Sequence, residues 1–539
     1  MYILGISGGV RQGNMDGSAT LMEDGKVIAS IEEERLLRIK HATGRLPEQA
    51  IRLVLQKAGI SIREVDYLVF PGETYVNFHQ ILRDYFKAKF GHCPKIELVN
   101  HHNAHAASTY YASGFEEAMV LTMDLSGDGI STQLAIGKSN TLSAIQRFLK
   151  PNSLGIFYSI LTQFCGFNRD NDEYKVMGLS SYGERGSHDF KWLVDYAAGA
   201  YHLDTQYIKV AKKGMPNPSK QEPMYHAALV EKLGAPRLPE SPMTKYYENI
   251  AASGQEHLEN VIIHLIETFH KKTGLRKICL AGGVALNCVA NQRIMNLDCI
   301  DAIFVQPASN DAGLSLGSAY LIASGLGYSI EPMKNVYLGT EFSNDEILEA
   351  LKKTNLKYKK IEDVSAYAAQ RVADNRIVGW FQGRMEFGPR ALGARSILGN
   401  SQNAAMKDII NHKIKFRESF RPFCPSVLEE AATDYFVGKS RVAPFMTITY
   451  DVKEAAKSRL PSITHVDGTA RIQTVNEQQH PLYYQYLKSL KKLNGTGVSI
   501  NTSFNVKGQC IVNTPYHAFS TFYGSGMDDL VIGNFVLAK

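Results

Sequence analysis

Short apolar runs bounded by glycine-rich turns alternate with longer segments of helical periodicity in the first half of the chain. Two segments, Leu46–Lys57 and Asn249–Lys271, space their apolar residues as amphipathic helices do. Strands that alternate with helices are typical of an α/β fold, which we therefore expect. The apolar runs predict strands at Tyr2–Ile6, Ser18–Met22, Lys26–Ile31, Tyr67–Phe70, Met119–Asp124 and Thr132–Ile136.

A strand, a glycine-rich turn and a hairpin occur in this order twice. The first copy has the turn Gly5–Gly9, and its hairpin closes at Glu23–Gly25. The second copy has the turn Ser126–Gly129 between Val120–Asp124 and Ser131–Ile136. Because glycine lets backbone N–H groups approach an anion closely, this plan predicts an actin-like or Hsp70-like ATPase fold; two ordinary hairpins are the alternative.

A third glycine-rich turn follows the predicted strand Lys277–Leu280. Gly282 and Gly283 open a helix there, and the turn ends at Asn287. Such a turn suits contact with a nucleoside or its phosphates, and a simple strand-to-helix turn is the competing interpretation.

Two histidines and two aspartates form a candidate metal site. His101 and His105 lie four residues apart after the predicted strand Ile96–Val99, so a helix places both imidazoles on one face. Asp124 and Asp311 each follow a predicted strand, where ligands collect in α/β folds. This mixed set suits Fe(II), Mn or Zn with open positions, whereas the histidine pair alone would also be compatible with a structural role.

The residues beyond the connection Glu331–Asn335 are rich in arginine. Gly383–Ser396 and Lys415–Phe423 combine arginines with glycine, serine and phenylalanine. A guanidinium group forks onto two phosphate oxygens, and the interleaved aromatic rings argue against a merely solvated surface. Asn501–Asn505 adds small polar donors after the strand Val498–Ile500. These segments predict an anion-binding region.

Composition narrows the protein class. The 539 residues allow two to four domains, and 44% hydrophobic with 21% charged residues is typical of a folded globular protein. The net charge of +6 is mild, so it does not imply nucleic acid. The seven cysteines form no Cys-x-x-Cys pair, which fits a reducing cytoplasm. The sequence also shows no long apolar run and no export signal, so we expect a cytoplasmic protein that does not span a membrane.

These motifs, in this order, resemble the NodU/CmcH family of O-carbamoyltransferases over nearly the whole length of the chain. The run Phe387–Ser396 is the most specific of them. The resemblance is carried by Ile31–Arg35, His101–Ala106, Met123–Gly129, Glu173–Leu179, Ala281–Asn287 and Phe387–Ser396.

The resemblance implies two domains and two chemical steps. Residues 1–335 would form an actin-like (ASKHA) domain of the tRNA threonylcarbamoyl-transferase type, and residues 336–539 a YrdC-like α/β domain. The second domain would convert carbamoyl phosphate and ATP to carbamoyl-adenylate. The first would pass the carbamoyl group to a hydroxyl of a small-molecule or sugar acceptor, as in natural-product or glycan tailoring. Iron is the implied metal, Mg²⁺ would accompany the nucleotide, and a homodimer is expected.

The resemblance also assigns roles to individual residues. The metal ligands it implies are the four residues named above. Arg390 and Lys415 would act in catalysis and bind the cofactors. The remaining candidate cofactor contacts are Arg395, Arg417, Arg421, Arg471, Asn501, Ser503, Asn505, Gly282, Gly283 and Asn287.

The general base stays open at this stage. Relatives commonly carry a His-Asp pair near the first hairpin, whereas this chain has Met15 beside Asp16, and a methionine cannot accept a proton. Asp16, His41, His102 and a metal-bound hydroxide are the candidates.

Two other functions compete with O-carbamoyl transfer. A tRNA-modifying enzyme of the threonylcarbamoyladenosine type is disfavoured because the chain lacks a basic nucleic-acid stripe. A non-catalytic actin-type or Hsp70-type protein would need neither the metal ligands nor the second anion-binding region.

Overall fold

Two five-stranded sheets with the same strand order form the first part of the chain. The computed structural model describes residues 1–10, 14–209 and 222–539. The first sheet has the order β3-β2-β1-β4-β5, with β1 Tyr2–Ile6, β2 Ser18–Glu23, β3 Lys26–Glu32, β4 Val65–Pro71 and β5 Lys95–Val99. The second has the order β8-β7-β6-β11-β12, with β6 Glu117–Gly127, β7 Ile130–Lys138, β8 Thr141–Leu149, β11 Lys277–Ala281 and β12 Ala302–Val305.

The pairing within the two sheets is equivalent. In each sheet an antiparallel three-stranded meander continues into two parallel strands. This duplicated topology confirms the two predicted hairpins and the actin-like α/β architecture. A two-stranded ribbon of β9 Val194–Ala197 and β10 Ala200–Leu203 is separate from both sheets.

A third, mixed sheet of eight strands occupies the arginine-rich part. Its order is β13-β23-β22-β14-β15-β21-β16-β20. Its strands are β13 Lys359–Lys360, β14 Val378–Phe381, β15 Arg395–Asn400, β16 Cys424–Leu428, β20 Gln473–Val475, β21 Val498–Ser503, β22 Asp529–Ile532 and β23 Phe535–Ala538. A small sheet beside it contains β17 Phe436–Val437, β18 Tyr450–Val452 and β19 Thr469–Ala470.

The helices cover the sheets and connect them. A π-helical turn, Asn411–Lys415, continues the helix Met406–Ile410. The α-helices are α1 Glu33–Leu37, α2 Glu48–Ala58, α3 Phe78–Phe90, α4 His101–Ser113, α5 Leu154–Phe164, α6 Glu173–Leu179, α7 Ala227–Leu233, α8 Lys245–Thr273, α9 Cys288–Met295, α10 Gly313–Gly325, α11 Asn344–Lys353, α12 Val364–Ala373, α13 Met406–Ile410, α14 Ala432–Tyr435, α15 Glu454–Lys457, α16 Pro481–Asn494 and α17 Pro515–Tyr523.

Helices α4 and α10 cross between the first two sheets. Helix α4 follows a strand of the first sheet but packs on β6 and β11 of the second, and α10 follows a strand of the second sheet but packs on β1, β2 and β4 of the first. Small residues such as Ala104, Ala107 and Ala319 are fully buried where the helices meet. The strand-to-helix junctions at His101 and Asp311 are therefore brought together by one helix crossing.

The predicted fold class is confirmed, with the duplicated actin-type sheets followed by a separate mixed α/β sheet where the YrdC-like region was expected. The boundary at residues 335 and 336 stays a prediction, as does the cytoplasmic location. Within the described ranges, every helix is too short or too polar to cross a lipid bilayer.

The crossing of α4 and α10 yields a stability test. A Cβ atom at Gly317 would overlap the carbonyl group of Ala104, so Gly317→Ala should force the two helices apart and destabilise the protein by about 1–3 kcal/mol. Gly325→Ala lies on the same helix with open space around it, so it should be neutral or stabilise by about 0.5–1 kcal/mol. Urea unfolding of both variants measures the difference, and equal stabilities would contradict the close crossing.

Candidate active site

Four predicted metal ligands converge at the crossing of α4 and α10. The side chain of Asn100 caps α4 by accepting hydrogen bonds from the N–H groups of His102 and Asn103, so the helix begins at His101 and His105 lies one turn later. Asp124 lies where the pairing of β6 with β7 becomes irregular, between Met123 and Gly127. Asp311 lies between β12 and α10.

The donor atoms of this group are spaced for a single ion. Asp124 Oδ2 is 3.2 Å from His101 Nε2 and 3.4 Å from His105 Nε2. Asp311 Oδ1 is 3.7 Å and 3.6 Å from the same two nitrogens. Metal bonds of about 2.1 Å place neighbouring ligand atoms about 3.0–3.4 Å apart. The residues therefore fit a divalent metal, and Asp311, 33% exposed, lies on the open side of the group.

The charges of the group favour a cation. Burial lowers the pKa of His105, but the hydrogen bonds and charges of Asp124 and Asp311 outweigh it and raise that pKa to about 9. Burial raises the pKa of Asp124, but the two imidazoles outweigh it and hold that pKa well below its usual value. The two carboxylates thus hold a proton on His105, which a divalent ion would displace.

His102 is removed from the list of candidate bases. Its ring is fully buried, with Nδ1 2.7 Å from the hydroxyl of Thr122 and Nε2 3.1 Å from the carbonyl oxygen of Ile130. Burial, together with His101 and His105, lowers its pKa well below the usual value. A neutral imidazole that is fully buried, with both nitrogens bound to protein groups, is out of reach of an acceptor hydroxyl and is a structural group.

Asp16 and His41 form a hydrogen-bonded pair. Asp16 Oδ1 is 2.7 Å from His41 Nδ1, and the N–H of Asp16 donates to the carbonyl oxygen of His41 at 2.8 Å. On the other side, His41 Nε2 is 3.0 Å from Asn171 Oδ1, while the amide nitrogen of Asn171 donates to Asp172 at 2.7 Å. The pair brings together two of the candidate bases from different parts of the chain.

The protonation of His41 follows from these contacts. The amide orientation of Asn171 makes Nε2 a donor, and the carboxylate of Asp16 makes Nδ1 a donor as well. Burial lowers the pKa of His41, but the hydrogen bond to Asp16 and its charge outweigh it and raise the pKa above 6.5. Asp16, His41 and Ala42 have φ angles of 54°, 63° and 42°, and such left-handed backbone in residues other than glycine is often found at functional sites.

Glu34 lies beside this pair, and one of its carboxylate oxygens accepts the N–H of His41 at 2.8 Å. Donor atoms of Asp16, Glu34 and His41 lie within 4.8 Å of one another. Because both ring nitrogens of His41 have protein acceptors, we interpret these residues as a proton-transfer group and not as a second metal site.

Five predicted cations cluster where the first part of the chain meets the eight-stranded sheet. The side chain of Lys415 is buried, and its ammonium donates to Asn505 Oδ1 at 2.9 Å and to the carbonyl oxygen of Ser503. Within the described part of the chain, no protein oxygen accepts a hydrogen bond from the guanidinium of Arg390. We call the following residues the cation cluster: Arg390, Lys415, Arg417, Arg421 and Arg471.

The cations of this cluster repel one another. Burial and the charge of Arg471 lower the pKa of Arg390 to about 10. Burial and the charge of Arg421 lower the pKa of Arg417 to about 9. Burial, Arg417 and Arg421 hold the pKa of Lys415 well below its usual value. A bound polyanion would relieve this repulsion, as expected of an anion-binding site.

The first part of the chain supplies residues to the cation cluster that sequence reasoning did not assign. The guanidinium of Arg421 lies 4.5 Å from the centre of the Tyr174 ring, and Lys175 bridges Asp172 and Glu418, at 3.1 Å each. Tyr174 and Lys175 belong to the motif Glu173–Leu179, one of the motifs on which the family resemblance depends, and this motif was the sequence feature that could have identified them.

Two thiols also contact the cluster. Arg471 Nε is 3.1 Å from the sulfur of Cys424, and the thiol of Cys288, at the start of α9, lies beside the same guanidinium. Cys288 belongs to the segment that begins beside Asp124, so this segment connects the metal group with the cation cluster.

Several predicted cofactor contacts have other roles in the structure. Arg395 is fully buried, donates to the carbonyl oxygens of Gln382, Gly383, Ala394 and Thr340, and stacks 3.7 Å from the centre of the Phe381 ring. It braces its own loop and does not face the cation cluster.

The amides of Asn501 and Asn287 are likewise engaged. Asn501 donates to Ser426 and Gln473 inside the sheet, and Asn287 caps α9 and exchanges two hydrogen bonds with Gln255. Gly282 and Gly283 lie beside Asp124, near the metal group. The assignment of these two glycines to contact with the cofactor stays a prediction.

The metal site is tested by elemental analysis. Asp124→Asn keeps the side-chain shape but removes the charge that both imidazoles face, so it should reduce the bound iron, manganese or zinc by about tenfold or more at equal free metal. His79→Ala removes an exposed histidine and should retain the wild-type metal content. Equal metal content in both variants would contradict the site.

Solved structures show distant fold similarity to the chain. HypF from T. kodakarensis aligns with 60% of this chain and 48% of its own, at 15% identity and a TM-score of 0.35. Component A of (R)-2-hydroxyglutaryl-CoA dehydratase from Acidaminococcus fermentans aligns with 60% of this chain and 99% of its own, at 14% identity and a TM-score of 0.35.

Sequence relatives are closer. An uncharacterized protein of Synechocystis is 39% identical, with 100% of this chain and 97% of that protein aligned. Nodulation protein NolNO of Sinorhizobium fredii is 35% identical, with 100% and 83% aligned. Nodulation protein NolO of Bradyrhizobium diazoefficiens is 37% identical, with 82% and 79% aligned.

The family descriptions agree with the two regions of chemistry. Residues 3–92 and 85–320 match the family described as Carbamoyltransferase N-terminus, and these residues include the metal group and the Asp16–His41 pair. Residues 369–539 match Carbamoyltransferase C-terminus, which includes the cation cluster. This chain is therefore an enzyme that belongs to the carbamoyltransferase family.

Proposed function

We propose that this protein is an ATP-dependent O-carbamoyltransferase that forms carbamoyl-adenylate at the cation cluster and transfers the carbamoyl group to a hydroxyl at the Asp16–His41 pair. The observation that carries the proposal is the convergence of five cations that include Arg390, whose guanidinium has no protein acceptor among the described residues. Family membership as an enzyme excludes the non-catalytic actin-type alternative.

The first step brings two polyanions into one cleft. Water releases phosphate from carbamoyl phosphate and leaves carbamate, whose oxygen attacks the α-phosphorus of ATP and expels pyrophosphate. One carbamoyl phosphate, one ATP and one water thus give carbamoyl-adenylate, phosphate and pyrophosphate. Arg390, Lys415 and Arg421 would neutralise the charge that these groups carry, an effect that is strong in a site with little water.

The second step moves a proton from the acceptor hydroxyl. The hydroxyl oxygen attacks the carbamoyl carbon, AMP leaves, and the proton passes to the Asp16–His41 pair. His41 must first lose its own Nε2 proton and separate from Asn171, whose amide oxygen lies where the hydroxyl would approach. Asp16 then stabilises the imidazolium that forms.

His101, His105, Asp124 and Asp311 would hold the metal, which when bound would polarise an oxygen of the adenylate and help to position it. Asp124 Oδ1 accepts the N–H of Leu125 at 2.7 Å, which aims Oδ2 at the imidazoles. We propose a small-molecule or sugar hydroxyl as the acceptor and a cytoplasmic, homodimeric enzyme.

Pyrophosphate release tests the first step. The wild-type protein should release pyrophosphate from ATP when carbamoyl phosphate is added. Arg390→Ala should lose about 2–5 kcal/mol of transition-state stabilisation because it removes a cation from a buried phosphate site. Arg441→Ala, at an exposed position, should retain the activity. Release that does not depend on carbamoyl phosphate in the wild-type protein would refute the proposed reaction.

The pH dependence of carbamoyl transfer tests the base. Because only unprotonated His41 accepts a proton and Asp16 raises its pKa above 6.5, the transfer rate should increase with pH through that raised value. Asn171→Ala removes an acceptor of the protonated ring, so the midpoint should shift to lower pH. His79→Ala should leave the midpoint unchanged. If Asn171→Ala and Asp16→Asn both retain the wild-type midpoint, His41 is not the titrating group.

A further inference from the structure

A short segment from Glu32 to His41 contacts two loops beside the cation cluster and ends at the proposed base. It begins at the end of β3, forms α1 and ends in a turn at Lys40–Ala42. Its charged side chains Glu32, Glu34, Arg35 and Arg38 bind five different backbone groups. The proposed function assigns none of these side chains a role.

Glu32 and Arg35 hold one glycine of the Arg390 loop. Glu32 Oε1 accepts the N–H of Gly388 at 2.8 Å, and Arg35 donates to the carbonyl oxygen of Gly388 at 2.8 Å. The two side chains also bind each other at 3.1 Å, and both are at least 94% buried. The peptide groups on both sides of Gly388 are thus fixed two residues before Arg390.

Glu386 holds the other side of the same loop. One oxygen of this buried carboxylate accepts the N–H groups of Leu392, Ala394 and Arg395, at 2.7, 2.8 and 3.2 Å. The backbone around Arg390 is therefore held by Glu386 on one side and by the ion pair of Glu32 and Arg35 on the other.

Arg38 reaches the second anion-binding loop. Its guanidinium donates to the carbonyl oxygens of Cys510 and Ile511. The loop that contains these residues folds back on Asn505, whose amide nitrogen donates to Gln509 at 2.8 Å and whose amide oxygen accepts from Lys415. Arg38 therefore supports the acceptors that position Lys415.

The same segment ends at the proposed base. Glu34 binds Arg35 Nε at 3.3 Å with one oxygen and the N–H of His41 at 2.8 Å with the other. Gly388 is therefore connected to His41 by a hydrogen bond from Arg35, an ion pair between Arg35 and Glu34 that lacks hydrogen-bond geometry, and a hydrogen bond from the N–H of His41 to Glu34.

A buried ion pair is a costly way to obtain stability, because apolar side chains of equal size stabilise a core at least as well. A pair whose two bonded atoms, Glu32 Oε1 and Arg35 Nη2, also bind the N–H and the carbonyl oxygen of Gly388 instead fixes the position of that peptide segment. We infer that Glu32, Arg35 and Arg38 are positioning residues that set Arg390 and Lys415 for carbamoyl-adenylate formation and couple that site to His41. This inference rests on the proposed function.

The experiment compares Arg35→Lys with a matched change in another buried ion pair. Lysine retains the charge but cannot bind Glu32, Glu34 and Gly388 together, so the KM for carbamoyl phosphate in pyrophosphate release should rise about tenfold. Asp529→Asn disrupts the pair of fully buried Asp529 with Arg371, at 2.8 Å, and should alter stability without this rise.

A double-mutant cycle separates positioning from simple destabilisation. If Arg35 acts through Arg390, Arg35→Lys should have an effect of less than about twofold in an Arg390→Ala background. Arg38→Met provides a second variant and should raise the KM for ATP or carbamoyl phosphate by the same mechanism.

Titration calorimetry with pyrophosphate gives a readout that does not require turnover. Arg35→Lys should weaken pyrophosphate binding about tenfold relative to wild type and to Asp529→Asn. Unchanged pyrophosphate binding, a KM within about twofold of the wild-type value, or additive effects with Arg390→Ala would overturn the inference. A wild-type protein that binds pyrophosphate without carbamoyl-phosphate-dependent release would instead refute the proposed function.

Discussion

The mutual repulsion of the buried cations in the cation cluster is the constraint on which the arrangement of the first part of the chain beside the eight-stranded sheet depends. Lys415, Arg417 and Arg390 each have a lowered pKa because they are buried beside one another. Such a cluster costs free energy in the absence of an anion. Backbone and amide oxygens bind Lys415, and aromatic rings cover Arg417 and Arg421. Uncharged oxygens and aromatic rings thus stabilise these cations, and the carboxylate of Glu418 lies 3.8 Å from Arg421.

The metal group follows from a second constraint, the crossing of two helices between duplicated sheets. Each sheet ends its parallel pair of strands in a helix that packs against the other sheet. The two helix starts therefore meet, and they bring two imidazoles and one carboxylate to the irregular point of β6 that holds Asp124. A duplicated fold thus yields one asymmetric site, because each copy contributes different side chains at the same junction.

The two sites are joined by backbone contacts. The turn at Gly283 begins beside Asp124, and five residues later Cys288 lies beside Arg471. On the other side, the segment from Glu32 to His41 links the proton-transfer pair to Gly388 and Cys510. Fixed connections of this kind suit an enzyme that makes a reactive anhydride in one place and consumes it nearby.

Local periodicity and strand ends were enough to predict most strands of the first two sheets, the helix of His101 and His105, and the four ligands that converge there. They succeed because the spacing of side chains along a helix and the gathering of strand ends are local consequences of backbone geometry. The partner of Asp16 was not decided in this way, since His41 reaches it from another segment and Asn171 in turn contacts His41 from a third. The structural roles of Arg395, Asn501 and His102 could not be predicted either. The sequence shows that an arginine or histidine is present, but not whether its donors face a ligand or a backbone carbonyl. Only tertiary packing decides which acceptors are near.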